Sequence, residues 1–322
     1  MTQNQEMNTK TSIRVLRFHR YGEPLDVLGM EQTAPPVPGP GTIRVTVRAC
    51  GLNPADWHLC RGFMAGDLPR GIGLDVSGIV DAVGEGVTGA AVGDAVLGCT
   101  DFAAYPSAGM AEQAILDHWA KMPEGLGFAE AAALPLVVVT AYSHLEALGV
   151  KPGQTLVVHG AGTMVGFAAV QMALMRGTRV IATAGSTFAD QLRTMGAAVT
   201  SYGDGMAERV GRLAGQPVDW VLDTAPVSGI LPDLIKIAGG DPKRVMTVSD
   251  HAAAPELGVR GTFTEGFSAV YDVIGEYAQY AAEGKFIIPV AQSFTFDDWR
   301  SAAAISQGGH AHGKLILLPA AE

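Results

Sequence analysis

Residues 155–184 read TLVVHGAGTMVGFAAVQMALMRGTRVIATA, and this stretch decides the fold. TLVVHG (155–160) is a short apolar run entering glycines, MVGFAAVQMALMRG (164–177) carries apolar residues at helical spacing, and RVIATA (179–184) is a second apolar run. Strand, glycine turn, helix and strand within about 30 residues make a βαβ unit, whose two strands pair in parallel. Further runs at AAVTSY (197–202), DWVLDT (219–224) and RVMTVS (244–249), with helical text between them, extend the alternation. For residues 136–266 this predicts a doubly wound parallel sheet, the α/β class.

Outside that stretch the rhythm changes. Over residues 13–135, IRVLRFHRYG, TIRVTVRACGLNP, DVSGIVDAVGEGV and VGDAVLG alternate polar and apolar residues between Gly and Pro, which predicts a mostly β domain closed as a barrel. GEGVTGAAVGD (84–94) reads as a hairpin region whose glycines serve turn geometry. Residues 267–322 hold a helix-like SAVYDVIGEYAQYAAEG, then FIIPV, DDWRSAAAISQG and a terminal KLILL. A strand-rich start and a strand-ended tail fit one domain, with the α/β unit inserted between them. Residues 1–12, MTQNQEMNTKTS, are polar and expected to be flexible.

The counts narrow the function. The chain has 322 residues, roughly twice the usual domain size. Hydrophobic residues make up 48% and charged residues 17%, with a mean hydropathy of +0.22, so a disordered chain is excluded. Lys and Arg total 22 against 32 Asp and Glu, a net charge of −10, which sets nucleic acid aside as a partner. Cys50, Cys60 and Cys99 match neither a disulfide framework nor a CxxC metal signature, so a reducing, cytoplasmic setting is expected. Apolar runs such as LPLVVVTA (134–141) are too short to span a membrane.

Gly160-Ala161-Gly162-Thr163-Met164-Val165-Gly166 stands at the first strand-to-helix turn. There, backbone N–H groups at a helix N-terminus can meet a pyrophosphate, whose charge the helix dipole also favours. The spacing departs from GxGxxG, which would put its third Gly at residue 165; Val165 stands there, and Gly follows one step later. Read as GxxGxxG, the middle position is Thr163. Placement inside a βαβ unit favours dinucleotide binding over a purely structural turn.

An NAD-preferring site carries Asp or Glu about 20 residues past the first Gly. Here Thr183-Ala184-Gly185-Ser186-Thr187-Phe188 has no acid, and none follows until Asp190, so NADPH is favoured over NADH. Ser186, Thr187 and Tyr202 can donate hydrogen bonds to a 2′-phosphate, although no Lys or Arg stands in the loop to neutralise it. Thr183 and Val248, at the ends of their apolar runs, complete the candidate cofactor contacts on this sheet.

Five blocks in order carry a family resemblance: GLNPADW (51–57), GLDVSGIVDAVGEGVTGAAVGDAVLG (73–98), AEAAALPLVVVTAY (129–142), KPGQTLVVHGAGTMVG (151–166) and GHAHGKLIL (309–317). Through them the chain resembles the medium-chain dehydrogenase/reductase superfamily, and more closely its zinc-free quinone oxidoreductase branch. The resemblance implies a GroES-like β-barrel with an inserted Rossmann domain, a homodimer, and hydride transfer from a nicotinamide to a small electron-poor acceptor. The edge of the dimer would be VRGTFT (259–264).

Zinc is judged residue by residue. The alcohol dehydrogenase branch needs a thiolate where this chain has Asn53 and a His-Glu pair where it has Leu74-Asp75; leucine has no donor atom. The four-cysteine structural lobe is absent, since Cys99 stands alone there. No metal is expected. Without a Lewis acid, oxidising an unactivated alcohol at neutral pH is difficult, and reduction of quinones or α,β-unsaturated carbonyls is the chemistry left.

The same resemblance implies that Asn53 lies beside the nicotinamide, the alternative being a residue that merely starts a turn. Thr140 is placed near the nicotinamide, or is an ordinary helix residue. Lys314 reaches toward the cofactor, or is a solvated lysine. His58 stands where relatives often have a tyrosine and is the candidate proton donor, against a solvent-facing histidine. Tyr105 is a further donor candidate. His310 and His312 read as a turn, Asp75 as a residue ordering the barrel loop, and Cys60 as a small buried residue. Two other readings stay open. One is a non-catalytic NADPH-binding sensor or structural protein, kept alive by Thr163 and the missing cationic clamp. The other is an enoyl-thioester reductase, which would want a basic patch.

Overall fold

The computed structural model describes residues 11–100, 108–264, 266–309 and 311–319. Residues 1–10 of the expected flexible segment 1–12, and the candidates Tyr105 and His310, lie outside them. In chain order the strands are β1 (Ile13–Phe18), β2 (Leu28–Thr33), β3 (Ile43–Gly51), β4 (Arg70–Gly71), β5 (Asp75–Val83), β6 (Ala95–Thr100) and β7 (Gln113–Lys121). They continue as β8 (Thr155–His159), β9 (Arg179–Thr183), β10 (Ala198–Thr200), β11 (Trp220–Asp223), β12 (Val245–Thr247), β13 (Arg260–Gly261), β14 (Val290–Thr295) and β15 (Lys314–Leu318). The chain divides into two compact units, residues 1–135 with 290–322, and residues 136–289.

The first unit holds a three-stranded sheet, β2-β1-β4, and a six-stranded sheet, β14-β15-β3-β5-β6-β7. An additional pairing of β3 with β7 closes the β3-β5-β6-β7 strands on themselves, which makes the expected barrel. Breaks in register at Arg44/Val45 and Val47/Ala49 give β3 the curvature that closure needs. Alternation fills the interior: Val45, Val47, Val76, Val80, Val96 and Leu116 form one buried cluster. Each fully buried side chain of this size contributes about 1.5–3 kcal/mol relative to exposure. β15 lies antiparallel to β3, with Ile316 opposite Gly51 and Leu317 opposite Cys50, so the C-terminal tail is a barrel strand.

The second unit is one parallel sheet in the order β10-β9-β8-β11-β12-β13. Order reverses at β8, with β9 on one side and β11 on the other, so the C-terminal end of β8 is the switch point where such sheets take ligands. Gly160 follows immediately. Residues 267–289, expected in the barrel domain, belong instead to this unit, and side-chain packing gives the reason. Gln171 exchanges two hydrogen bonds of 2.9 Å with the backbone of Ile287, Ser143 Oγ accepts from the Val270 amide at 2.9 Å, and Tyr277 packs edge-on against Tyr142 and Phe286.

Candidate active site

The glycine turn resolves its irregular spacing. Thr163 is the N-cap of the helix Met164–Met175: its hydroxyl accepts from the Gly166 amide at 3.0 Å and donates to Thr224 Oγ1 at 3.1 Å. Thr224 Oγ1 in turn lies 2.8 Å from His159 O and 2.9 Å from Gly160 O. A threonine therefore ties the helix start to the ends of β8 and β11, a role glycine could not fill. Gly160 has φ +75°, and a Cβ there would lie 2.6 Å from the Ala225 amide nitrogen. At Gly166 a Cβ would sit 2.5 Å from Gly160 O and 2.5 Å from Thr224 Oγ1, so the helix approaches the strand closely only because this residue is glycine. Gly162 faces open space.

The first-turn N–H groups of Met164 and Val165 have no acceptor within the helix. Residues 162–165 are partly exposed, while Ala161 is buried. An uncovered helix start, aimed out of a switch point past an unobstructed Gly162, fits the diphosphate of a dinucleotide.

The candidate 2′-phosphate residues Ser186, Thr187 and Tyr202 are all exposed. Ser186 and Thr187 are exposed at the start of the helix Ser186–Thr194, and a Cβ on the preceding Gly185 would lie 3.6 Å from Tyr202 Oη. Arg209 donates to the carbonyls of Ser201, Tyr202 and Asp204, so a guanidinium braces the loop that presents the tyrosine. Sequence reading missed it because it stands seven positions downstream on another helix. Thr183 points the other way: it is fully buried, and its hydroxyl bonds His159 Nδ1 at 2.8 Å and the Gly160 amide at 3.3 Å, so it shapes the turn from behind. Val248 and Thr140 are each partly exposed, the first beyond the end of β12 and the second on the helix Pro135–Leu148. Asp223, buried at the end of β11, accepts from Thr247 Oγ1 and the Ala225 amide; burial pushes its carboxyl up to about 6.

In the first unit a second cluster assembles around Lys314. Its Nζ lies 2.5 Å from Asn53 Oδ1 and 2.8 Å from Asp75 Oδ2, and Asn53 Nδ2 donates to Asp75 Oδ2 at 2.9 Å and toward Gly51 O at 3.3 Å. Asn53 is 5%, Asp75 0% and Lys314 3% exposed, so the solvated-lysine alternative fails. Gly51 makes room: a Cβ there would lie 3.0 Å from Lys314 Cε. Asn53 also caps the helix Pro54–Cys60, and Asp56, three residues on, accepts from the Asn53 amide at 2.8 Å and the Gly73 amide at 2.7 Å. Complete burial pushes Asp56 up to about 7, against the pull of those two amides. The N-x-x-D spacing of a capping box was the available signal for Asp56. Cys50 and Cys99 are buried nearby in the same unit, and desolvation raises both thiols.

His58 is not part of this cluster. It is exposed, whereas Asn53, Asp75 and Lys314 are buried, and its ring is edge-on to Phe63. His312 sits in a tight turn with φ +52°, and Cys60 is buried. Nor do the residues fit a zinc ion: the oxygens of Asn53 and Asp75 both face an ammonium, and Leu74 offers no donor. Among the described residues, no group of three or more His, Cys, Asp or Glu is placed to hold a metal, and no helix is long and apolar enough to cross a membrane.

With this geometry in hand, comparison with known proteins is specific. The chain matches the family "Alcohol dehydrogenase GroES-like domain" over residues 39–144 and the family "Zinc-binding dehydrogenase" over residues 195–317. It is 31% identical over 265 residues to a quinone oxidoreductase of Sus scrofa, covering 79% of this chain and 78% of that one. A stretch of 167 residues is 40% identical to the pikromycin polyketide synthase component PikAII of Streptomyces venezuelae; it covers 52% of this chain but 4% of that protein's length. Among solved structures, the quinone oxidoreductase from Coxiella burnetii superposes with a TM-score of 0.81 at 25% identity, covering 96% of this chain and 100% of that one.

Proposed function

The chain belongs to the medium-chain dehydrogenase/reductase superfamily, in its quinone oxidoreductase-like branch, and from that premise we propose that it reduces quinones or α,β-unsaturated carbonyls with NADPH and without zinc. It is an NAD(P)H-dependent oxidoreductase. The observation that carries the finer reading is the convergence of Asn53 and Asp75 on the Lys314 ammonium, where alcohol chemistry would need an open metal position. When bound, the nicotinamide supplies the hydride, and the acceptor takes it together with one proton.

In this proposal the Gly160–Gly166 turn holds the diphosphate through the N–H groups that begin its helix, with Ala161, Gly162, Met164 and Val165 lining it. Ser186, Thr187 and Tyr202 hold the 2′-phosphate, and a sequence with no acid from Thr183 to Ala189 favours NADPH over NADH. Thr183 fixes the turn from behind. Thr140, Val248, Asn53 and Lys314 serve the nicotinamide end, and water supplies the proton, since His58, the donor candidate, is exposed while Asn53 and Lys314 are buried. The proposal extends to a homodimer joined at β13, the last strand of its sheet, and, from three buried free cysteines, to a reducing cytoplasmic location.

Monitoring NADPH absorbance against a panel of quinones and enones tests the reading. Turnover with at least one acceptor is expected, with kcat/KM at least about tenfold higher for NADPH than for NADH. Tight cofactor binding with no turnover of any acceptor would refute it. The polyketide synthase likeness supports a second reading, reduction of an unsaturated acyl thioester. A crotonyl thioester turned over faster than every quinone would establish that reading in place of the first.

A further inference from the structure

We propose that Arg209 is a positioning residue that sets the coenzyme preference: by gripping the carbonyls of residues 201–204 it holds the Tyr202 hydroxyl at the start of the helix Ser186–Thr194. It acts through the tyrosine and does not itself touch the ligand. This rests on the NADPH reading and adds to it the residue that gives the 2′-phosphate subsite its shape.

Four successive carbonyls of an exposed loop turn inward. Arg209 Nη1 donates to Asp204 O at 2.6 Å, and Nη2 lies 3.1 Å from Ser201 O, 3.2 Å from Tyr202 O and 3.4 Å from Gly203 O. Oxygens in such a loop need no protein partner, because water serves them. Here one planar guanidinium, with its donors in a fixed fork, collects all four. The backbone is shaped for it, since Gly203 (φ +83°) and Gly205 (φ +72°) both adopt left-handed conformations. The arginine springs from a rigid base: its helix, Met206–Ala214, is docked through the buried Met206, Val210 and Ala214.

Tyr202 is the side chain this loop presents. It is 60% exposed, so no core packing fixes its ring. Its Oη nonetheless stands 3.6 Å from where a Cβ on Gly185 would be, and Gly185 is the N-cap of the helix Ser186–Thr194. The sheet holds the chain only up to this point. β10 pairs with β9 as far as Thr200 opposite Thr183, and the Ala184 amide donates to Thr200 O at 3.0 Å. Beyond Thr200 the pairing ends, and the grip of Arg209 takes over.

Position, more than charge, is what the arginine contributes. Glu208 Oε2 and Arg209 Nη1 each lie 3.1 Å from the same point, the place of a Cβ on Gly205, so a carboxylate accompanies the cation. A lysine at 209 would keep the charge, but its compact ammonium with three donors cannot span four carbonyls. A held Tyr202 hydroxyl donates to a 2′-phosphate and gains a charge-assisted bond that the 2′-hydroxyl of NADH cannot match.

Fluorescence titration of NADPH and NADH against the native chain, Arg209→Met, Arg209→Lys, Tyr202→Phe and the double variant Arg209→Met/Tyr202→Phe tests this. In both single Arg209 variants Kd for NADPH should rise at least about tenfold while Kd for NADH changes less than about threefold. The double variant should bind NADPH within about twofold of Tyr202→Phe alone, because the arginine works through the tyrosine. Adenosine 2′,5′-bisphosphate and adenosine 5′-monophosphate, as competitors, should show the same split without any nicotinamide contact. If Arg209→Met does not fold, Arg209→Lys, which keeps stem and charge, carries the test. Equal weakening of NADPH and NADH would overturn the proposal, since a purely structural arginine predicts that pattern, and so would native NADPH binding in Arg209→Lys. A native chain that binds NADH as tightly as NADPH would instead refute the NADPH reading itself, whereas a native preference that survives in both Arg209 variants refutes only the role of Arg209.

Discussion

Replacing Gly166 by alanine probes the joint between helix and strand. The new Cβ would stand 2.5 Å from Gly160 O, 2.5 Å from Thr224 Oγ1 and 2.8 Å from Ala161 Cα, where ordinary contact begins at 3.4 Å. Two of the three are backbone atoms, and the Thr224 hydroxyl is itself bonded to His159 O and Gly160 O, so none can swing aside. The helix start must therefore retreat by about 0.9 Å. Overpacking of this kind costs about 1–3 kcal/mol, a fall in Tm of roughly 2–12 °C for a unit of this size. Retreat also draws the Met164 and Val165 amides off the diphosphate. Losing one hydrogen bond to a charged group, about 1.5–3 kcal/mol, weakens NADPH binding roughly 10- to 100-fold. Gly162→Ala separates the two effects, because its Cβ meets nothing within 4 Å. It should keep the native Tm within about 1 °C yet bind NADPH at least about tenfold more weakly, since the methyl covers the face left open for the ligand. Fluorescence titration with NADPH and thermal melts of the three proteins decide it. A Gly166→Ala chain with native Tm and native Kd would refute the packing argument.

Thr163→Ala removes an N-cap and should cost about 1 kcal/mol in urea denaturation, with Thr163→Ser restoring most of it; equal losses in both would show that the methyl, not the hydroxyl, matters. His58 is exposed while Asn53 and Lys314 are buried, so His58→Gln should leave kcat within about threefold, and a drop beyond tenfold would show that the imidazole does relay the proton. Burial lowers His144 to about 4, with its ring held between Thr140 O and Thr262 Oγ1. Its folded pKa lies below its unfolded value of 6.5, so its contribution is intact above pH 6.5 and is lost as pH falls toward 4. The stability of the native chain minus that of His144→Gln should accordingly fall by about 2 kcal/mol between pH 6.5 and pH 5, and a flat difference would contradict the burial. Asp56 and Asp223 carry raised pKa values and move the opposite way, which is why the difference, not the raw pH curve, is the measurement.

The fold was legible wherever neighbours in sequence are neighbours in structure. Thr155–His159, the helix Met164–Met175 and Arg179–Thr183 stand where apolar period and glycine punctuation placed them. Residues 267–289 were misassigned because a helix-like stretch says nothing about which unit it packs on; that was decided by Gln171, Ser143 and Tyr142, each more than a hundred residues upstream. Likewise Thr163 looked like a defect in a glycine motif until Thr224, 61 positions away, supplied its partner. Ser186, Thr187 and Tyr202 could be grouped as candidates from the sequence because a strand end and the loop after the next strand are adjacent in any parallel pair.

The cradle for Lys314 joins both kinds of information. Its near side is local: Asn53 starts a helix, and Asp56, three residues on, accepts the Asn53 amide, as a capping box requires. Its far side is not, for Asp75 and Lys314 are 239 positions apart and meet only because β15 is laid beside β3, and β3 beside β5. Asp56 joins the two sides, since its other oxygen accepts from Gly73, two residues before Asp75. One buried carboxylate thus sets the spacing between the two oxygens that grip the ammonium. Such a carboxylate costs desolvation energy that an apolar residue would not, and two backbone amides lower that cost only in part. Its two amide bonds tie the start of the helix Pro54–Cys60 to the segment that enters β5, so the partners of the ammonium are held from both sides by backbone rather than by side-chain contacts alone.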